Sequence, residues 1–233
     1  MIFIDVGHSH STVCLSKITQ LEATVLAQHS DRNFGGRNID RALQNKFIEL
    51  FNEKYEGSDI SQNYKAKQRL GAAAQKARQA LSSDHSTKIK EDALMPGKDF
   101  THELLEDEFE QTIEEEVDRF WKFLFNAKEE FKKLEDFRID VIELVGDTNR
   151  LPVLEEVIRD IFPETNKELK RTLNSQEYLA RGAAILAAQF SRHKTAHRYR
   201  VRNQLSHDWR EKDQELRESG QTMQQLMSIE EMI

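Results

Sequence analysis

The chain has 233 residues, a single cysteine and a formal charge of −7, with 38% hydrophobic and 32% charged residues. That length allows one or two domains with a sizeable core, and the polar lean predicts that some helices or a tail stay in solvent. The acidic balance argues against a general nucleic-acid binder, which carries a basic face, and Cys14 alone excludes an intrachain disulfide or a thiolate zinc site.

The first segment alternates like sheet. Met1 to Val6 is a short apolar run ending at Gly7, Thr12 to Ile18 is a second, and Leu21 to Ala27 a third. Three such runs joined by tight turns predict an antiparallel meander. Asn33-Phe34-Gly35-Gly36 closes it with paired glycines that tolerate turn geometry.

Helices follow. Ile39, Leu43, Phe47, Leu50 and Phe51 recur at helical spacing, with Asp40 in the first turn. Leu70, Ala73, Ala74, Ala77, Ala80 and Leu81 form a second stripe, of small residues that permit close packing. Between Asp84 and Asp99 the pattern is irregular and predicts short strands and turns. Glu103 to Lys132 reads as one long or broken helix with Phe109, Ile113, Val117, Trp121 and Leu124 along one face. Its acidic stretch, Glu106 to Asp118, lacks calcium-loop spacing and reads as a wet face.

Ile139 to Val145 is an apolar strand ending at Gly146. Asp147-Thr148-Asn149-Arg150 then leads to Pro152, which suits the first turn of a helix carrying Val153, Leu154, Val157, Ile158 and Ile161. Asn174 is placed to cap a last core helix with Leu179, Ala183, Leu186 and Phe190. Strands, helices, a strand and helices again make an α/β pattern.

The tail beyond Phe190 differs. Arg192, His193, Lys194, His197, Arg198, Arg200 and Arg202 form a basic patch, read as a solvated linker in preference to an RNA or lipid contact. Trp209, Leu216 and Met223 are seven apart, but Gly220 interrupts them. A frayed or partner-docked tail fits better than a coiled coil.

Two junctions carry chemistry. Asp5-Val6-Gly7-His8-Ser9 puts an acid at a strand end before a small-residue hairpin, whose backbone N–H groups can approach phosphate oxygens. Gly146 to Pro152 is a strand-to-helix turn, where ligands bind in α/β folds and helix N-termini offer unpaired donors. His8 and His10 lack a third ligand in sequence, so no metal site is assigned. Ser9 with either histidine is no nucleophile–base pair on spacing alone, and no catalytic residue is assigned.

These junctions, with Gly35-Gly36-Arg37-Asn38-Ile39-Asp40 between them, resemble the actin-like ATPase domain of the heat shock protein 70 superfamily, in register from about Met1 to Phe190. Asp5-Val6-Gly7-His8-Ser9 and Arg37 resemble the 110 branch of that superfamily. The resemblance implies a ribonuclease-H-like second lobe over 1–190, with a mostly helical insertion over 38–119 and a linker and tail over 191–233. It implies that the first lobe, with its phosphate loop and catalytic lysine, is absent, as is the substrate-binding β-sandwich. Gly7, His8, Ser9 and Gly36 then belong to the phosphate side. Gln75, Arg78, Gln79 and Ser82 match the positions lining adenosine in the family, and Gly146, Asp147, Thr148 and Arg150 match the second turn, with Arg150 stacking on adenine. The implied cofactor is ATP or ADP with magnesium. Gln75 and Gln79 depart from the family's acid and base, Gln176 stands where it usually has an acid, and Asp147 replaces a glycine beside the phosphates. A like charge there predicts weakened binding.

Half a cleft cannot assemble metal, phosphate clamp and water for in-line transfer, so the isolated chain is expected to lack ATPase activity. The implied role is in protein folding or as a co-chaperone, and the alternative is a non-catalytic interaction subunit. Either predicts a protein partner: a 70-type chaperone, a larger assembly, or a second copy docking on the face the first lobe would cover. No run approaches the roughly 20 apolar residues of a membrane span. The N-terminus lacks the charged region of a signal peptide, so a cytoplasmic location is expected.

Overall fold

The computed structural model describes residues 1–135, 137–163, 169–189 and 200–203. Strand β1 (Ile2–Val6) buries Ile2, Ile4 and Val6 and turns Phe3 and Asp5 to the other face, the alternation of a strand. It pairs antiparallel with β2 (Ser11–Ile18), which pairs antiparallel with β3 (Glu22–Asp31) across an irregularity at Leu15/Ser16. The predicted meander is present.

Helix α1 (Gly36–Lys54) buries Ile39, Leu43, Phe47 and Phe51. Helix α2 (Tyr64–Ala80) faces it through Ala66, Leu70, Ala73, Ala74 and Ala77, and Asn63 caps it by accepting the Ala66 N–H at 3.1 Å. At Gly71 an added Cβ would lie 3.0 Å from the Gln44 amide, whose Nε2 donates to the Lys67 carbonyl. The small-residue stripe is what lets these helices approach.

The stretch expected to hold short strands and turns is a hairpin, β4 (Ser86–Met95) and β5 (Lys98–Leu105), with a register shift between Glu91 and Met95 and a turn at Gly97 with φ +72°. Arg69 holds it to α2 through the Glu91 carboxylate and the Asp92 and Ala93 carbonyls. Of the long or broken helix expected over 103–132, the broken form is present and starts later: α3 (Glu106–Thr112) and α4 (Glu114–Phe131) meet at Ile113, whose φ of −107° breaks the turn. Phe109, Ile113 and Leu124 of the expected face are buried. Helix α4 buries Phe120, Phe123, Leu124, Ala127 and Phe131, while Trp121 is exposed, stacked on Phe125 and bonded to Asp160.

Strand β6 (Ile142–Val145) lies parallel to β1, with Ile2 opposite Ile142 and Asp5 opposite Val145. Its Glu143 is fully buried, and Oε1 accepts from Thr172 Oγ1 and the Thr172 and Leu173 backbone. Helix α5 (Pro152–Ile161) starts with proline at its first turn, as predicted, and packs Leu154, Val157, Ile158 and Ile161 inward. Buried Lys128 of α4 donates to the Ile161 carbonyl at 2.6 Å, a cation at the negative end of α5.

Helix α6 (Tyr178–Gln189) is the last helix, on the face expected to be partly exposed. Residues 179–187 are all exposed, Leu179 at 70%. It is no core helix here. Asn174 makes a turn ahead of it, accepting the Gln176 N–H, while its carbonyl accepts the Tyr178 N–H. Strand β7 (Arg200–Asn203) adds parallel to β3, giving the sheet order β6-β1-β2-β3-β7. Phe190, the basic residues from Arg192 to Arg198, and Trp209, Leu216 and Met223 lie outside the described residues.

Candidate functional site

Because β1 and β6 run parallel, their C-terminal ends emerge side by side and deliver Gly7 and Gly146 to one edge of the sheet. That edge is where ligands sit in α/β folds. The Gly7 N–H closes the hairpin on the His10 carbonyl at 3.1 Å. The Gly7 carbonyl accepts from the Gly36 N–H at 2.9 Å and from Thr148 Oγ1 at 3.1 Å, and the His8 carbonyl accepts from the Arg37 N–H at 2.8 Å. Three loops, far apart in the chain, are thus tied together. The tie has a chemical consequence: the first donors of α1 are spent on loop carbonyls and are not free for an anion.

Glycine is required at these contacts. Gly146 has φ +85°, and a Cβ there would run into the Val6 carbonyl and come within 2.7 Å of Asp5 Oδ1. A Cβ on Gly36 would meet Thr148 Oγ1 at 2.7 Å. Thr148 and Asn149 are buried, and Asn149 Nδ2 donates to the Ile4 carbonyl at 2.7 Å, so the Asp147–Arg150 turn is stitched to β1.

Arg78, expected at the adenosine side, is engaged elsewhere. Its side chain is 6% exposed, and Nε donates to Asp40 Oδ1 at 2.6 Å while Nη2 reaches Oδ2 at 3.3 Å. His8 Nδ1 stands 4.0 Å from the same carboxylate. The guanidinium also lies against Gly36, so Gly7, His8, Gly36, Arg78 and Thr148 do come together, around an ion pair the sequence did not reveal. Ser82 is half-buried and donates to the Gln79 carbonyl at 2.7 Å. Gln75, Gln79, Asp147, Arg150 and Gln176 are exposed, and Ser9 reaches His10 Nδ1 at 3.3 Å.

Two residues complete the cluster. Asp5, at the end of β1, has a buried Oδ1 with no hydrogen-bond partner among the described residues. Its Oδ2 accepts from the Tyr178 hydroxyl at 2.5 Å. Burial, then the Asp5 bond and charge, then Asp147, push the Tyr178 hydroxyl far above the usual tyrosine range, so it stays a donor. Asp40 and Tyr178 were missed as site residues because no motif spacing links them to Arg78 or Asp5. Buried Asp5 Oδ1 and the glycine turns suit the cation and phosphates of a magnesium nucleotide, whereas engaged Arg78 and charged Asp147 do not. A separate groove of about 530 Å³, lined by Arg41, Lys46, Glu108, Gln111, Glu115 and Glu116 among others, shares no residue with the cluster. No group of three or more metal-ligating side chains occurs among the described residues, and no helix there is long and apolar enough to cross a membrane.

A family model described as Hsp70 protein matches residues 1–223. The chain is 35% identical over 185 residues to a heat shock protein homolog of Saccharomyces cerevisiae, covering 79% of this chain and 26% of that protein. It is 33% identical over 191 residues to Heat shock 70 kDa protein 16 of Arabidopsis thaliana, covering 82% of this chain and 24% of that one. The chain thus spans about a quarter of the length of these curated relatives.

Proposed function

The chain belongs to the Hsp70 protein family, and from that premise we propose that it is a chaperone-type lobe of the 110 branch that binds a magnesium nucleotide weakly and does not hydrolyse it alone. In this reading 1–190 form the second lobe of a nucleotide-binding domain, with 38–119 as its insertion, acting in the cytosol in protein folding or as a co-chaperone. The observation that carries it is the convergence of the Gly7, Gly36 and Gly146 loops beside the orphaned Oδ1 of Asp5. A buried carboxylate oxygen without a partner is costly and is relieved when a cation arrives. Asp5 would face the magnesium ion, the Gly7 and Gly146 turns the phosphates, and exposed Arg150 the base; the ion's part is to offset phosphate charge.

Weak binding follows from the electrostatics. Asp147 sets a second carboxylate by the phosphates, and Arg78, neutralised by Asp40, offers little against it. Calorimetry with MgATP and MgADP up to millimolar concentration tests this, with weak saturable binding expected. Absence of heat at that concentration refutes nucleotide binding, and phosphate release by the purified chain refutes the non-hydrolysing half.

A second reading is an interaction lobe without nucleotide, working through a 70-type chaperone, a larger assembly or a second copy. Exposed Leu179, Ile185 and Leu186 on α6 favour it. Light scattering that gives a strictly monomeric, folded chain at micromolar concentration, with no added partner, counts against self-association.

A further inference from the structure

Helix α6 raises a question of what holds it. Residues 179–187 are exposed on every side of the helix, with Leu179, Ile185 and Leu186 at 70%, 50% and 44%. A helix of 12 residues that buries no continuous face gains little from packing and is marginal by itself. The side-chain anchorage described for it is at the first residue. The half-buried Tyr178 ring reaches the sheet, and its hydroxyl donates to Asp5, 173 residues earlier in the chain. The segment leading to it is fixed independently, because Thr172 and Leu173 bond to buried Glu143, and Arg171 to the Asn149 carbonyl. Tyr178 is therefore where the fixed segment hands over to the exposed helix.

The other end of the contact is the strand-end acid of the loop cluster. With Oδ1 buried and without a partner among the described residues, the tyrosine hydroxyl is the hydrogen bond described for the Asp5 side chain. A carboxylate in that state favours exchanging a neutral donor for a cation. We propose that the Tyr178–Asp5 contact is a latch: the phenol occupies the carboxylate of the site and so pins α6 to the sheet, and a magnesium nucleotide that takes Asp5 releases the helix. Tyr178 acts here as a positioning residue, and the site and helix compete for one carboxylate. The helix half of the proposal stands on the hydrogen bond alone, and the ligand half rests on the nucleotide reading above.

Hydrogen exchange on the full chain tests the helix half without any ligand. Tyr178→Phe keeps the ring and removes only the donor. Loss of a hydrogen bond to a charged group predicts roughly ten- to hundredfold faster exchange in α6, with β1 and β6 amides unchanged. Asp5→Ala should act likewise, and the double variant should add nothing further. Unchanged α6 exchange in Tyr178→Phe, or an equal rise throughout the sheet, overturns the latch. Calorimetry with MgADP tests the ligand half, where Tyr178→Phe should bind more tightly by a similar factor. Equal, measurable affinities overturn the competition. Absence of binding to both proteins refutes the nucleotide reading and with it the release step, and the exchange result decides the helix half separately.

Discussion

Asp40→Ala is the sharpest probe of how the site is built. Arg78 and Asp40 meet with side chains 6% and 12% exposed, at 2.6 Å. Removing the acid leaves a guanidinium buried without its counter-charge, which costs about 3–5 kcal/mol, well above the ~0–1 kcal/mol of an exposed pair. Against a typical total of about 5–15 kcal/mol, that is a large loss. In urea it lowers the unfolding midpoint by roughly 1–3 M, with little change in slope. Asp40→Ala combined with Arg78→Met removes both charges and fills part of the volume, and should recover most of the loss. A cost below about 1 kcal/mol for Asp40→Ala, or a double variant no more stable than Asp40→Ala, would refute the burial argument. Either outcome would return Arg78 to the open adenosine side, where the sequence reading put it.

Gly146→Ala should lose well over 1 kcal/mol, because positive φ and a steric conflict with Val6 and Asp5 act together. Gly97→Ala, also at positive φ but with open space around the added methyl, should lose only about 1 kcal/mol; equal losses in denaturant melts contradict the close-approach argument. Phe120→Ala should cost about 3–5 kcal/mol while exposed Trp121→Ala costs far less, and a reversal would show that the phase of α4 is misassigned. His85 should titrate above the ordinary value of about 6.5 by NMR, since the Glu106 carboxylate accepts from its ring and holds its charged form. Its folded pKa is raised, so its contribution to stability is fully present below the unfolded value and is lost as pH rises through the folded one. Glu106→Gln should return the midpoint to the ordinary value, and an unmoved midpoint excludes the pair.

Much of the fold was legible because local periodicity and tertiary burial agree. Ile2, Ile4 and Val6 alternate and are buried, Leu70 to Ala77 recur at helical spacing and face α1, and Pro152 opens α5. Helix α4 was misread at one position: Phe109, Ile113 and Leu124 are buried as expected, but Phe120, seven residues after Ile113, continues their stripe, whereas Trp121 lies about 100° further round and stays exposed. Helix α6 is a different case. Its apolar content suits a core, but nothing in local pattern states whether a neighbouring surface covers it. The site divides similarly. Its glycines were readable from turn geometry, whereas Asp40 and Tyr178 find their partners 38 and 173 residues away, where no spacing rule reaches.

The parallel pairing of β1 with β6 also sets an order of events in folding. Ile2 lies opposite Ile142, so the register closes a loop of about 140 residues, an entropic cost of roughly 4 kcal/mol that no local contact offsets. The meander, the α1–α2 pair and the β4–β5 hairpin rest on short-range contacts and can form earlier; the edge holding Gly7 and Gly146 cannot exist until the strands meet. During synthesis the N-terminal half of the cluster waits, incomplete, for a strand made many seconds later at roughly 5–20 residues per second. Strand β1, paired only with β2 over that interval, keeps its other edge open to misassociation until β6 is made.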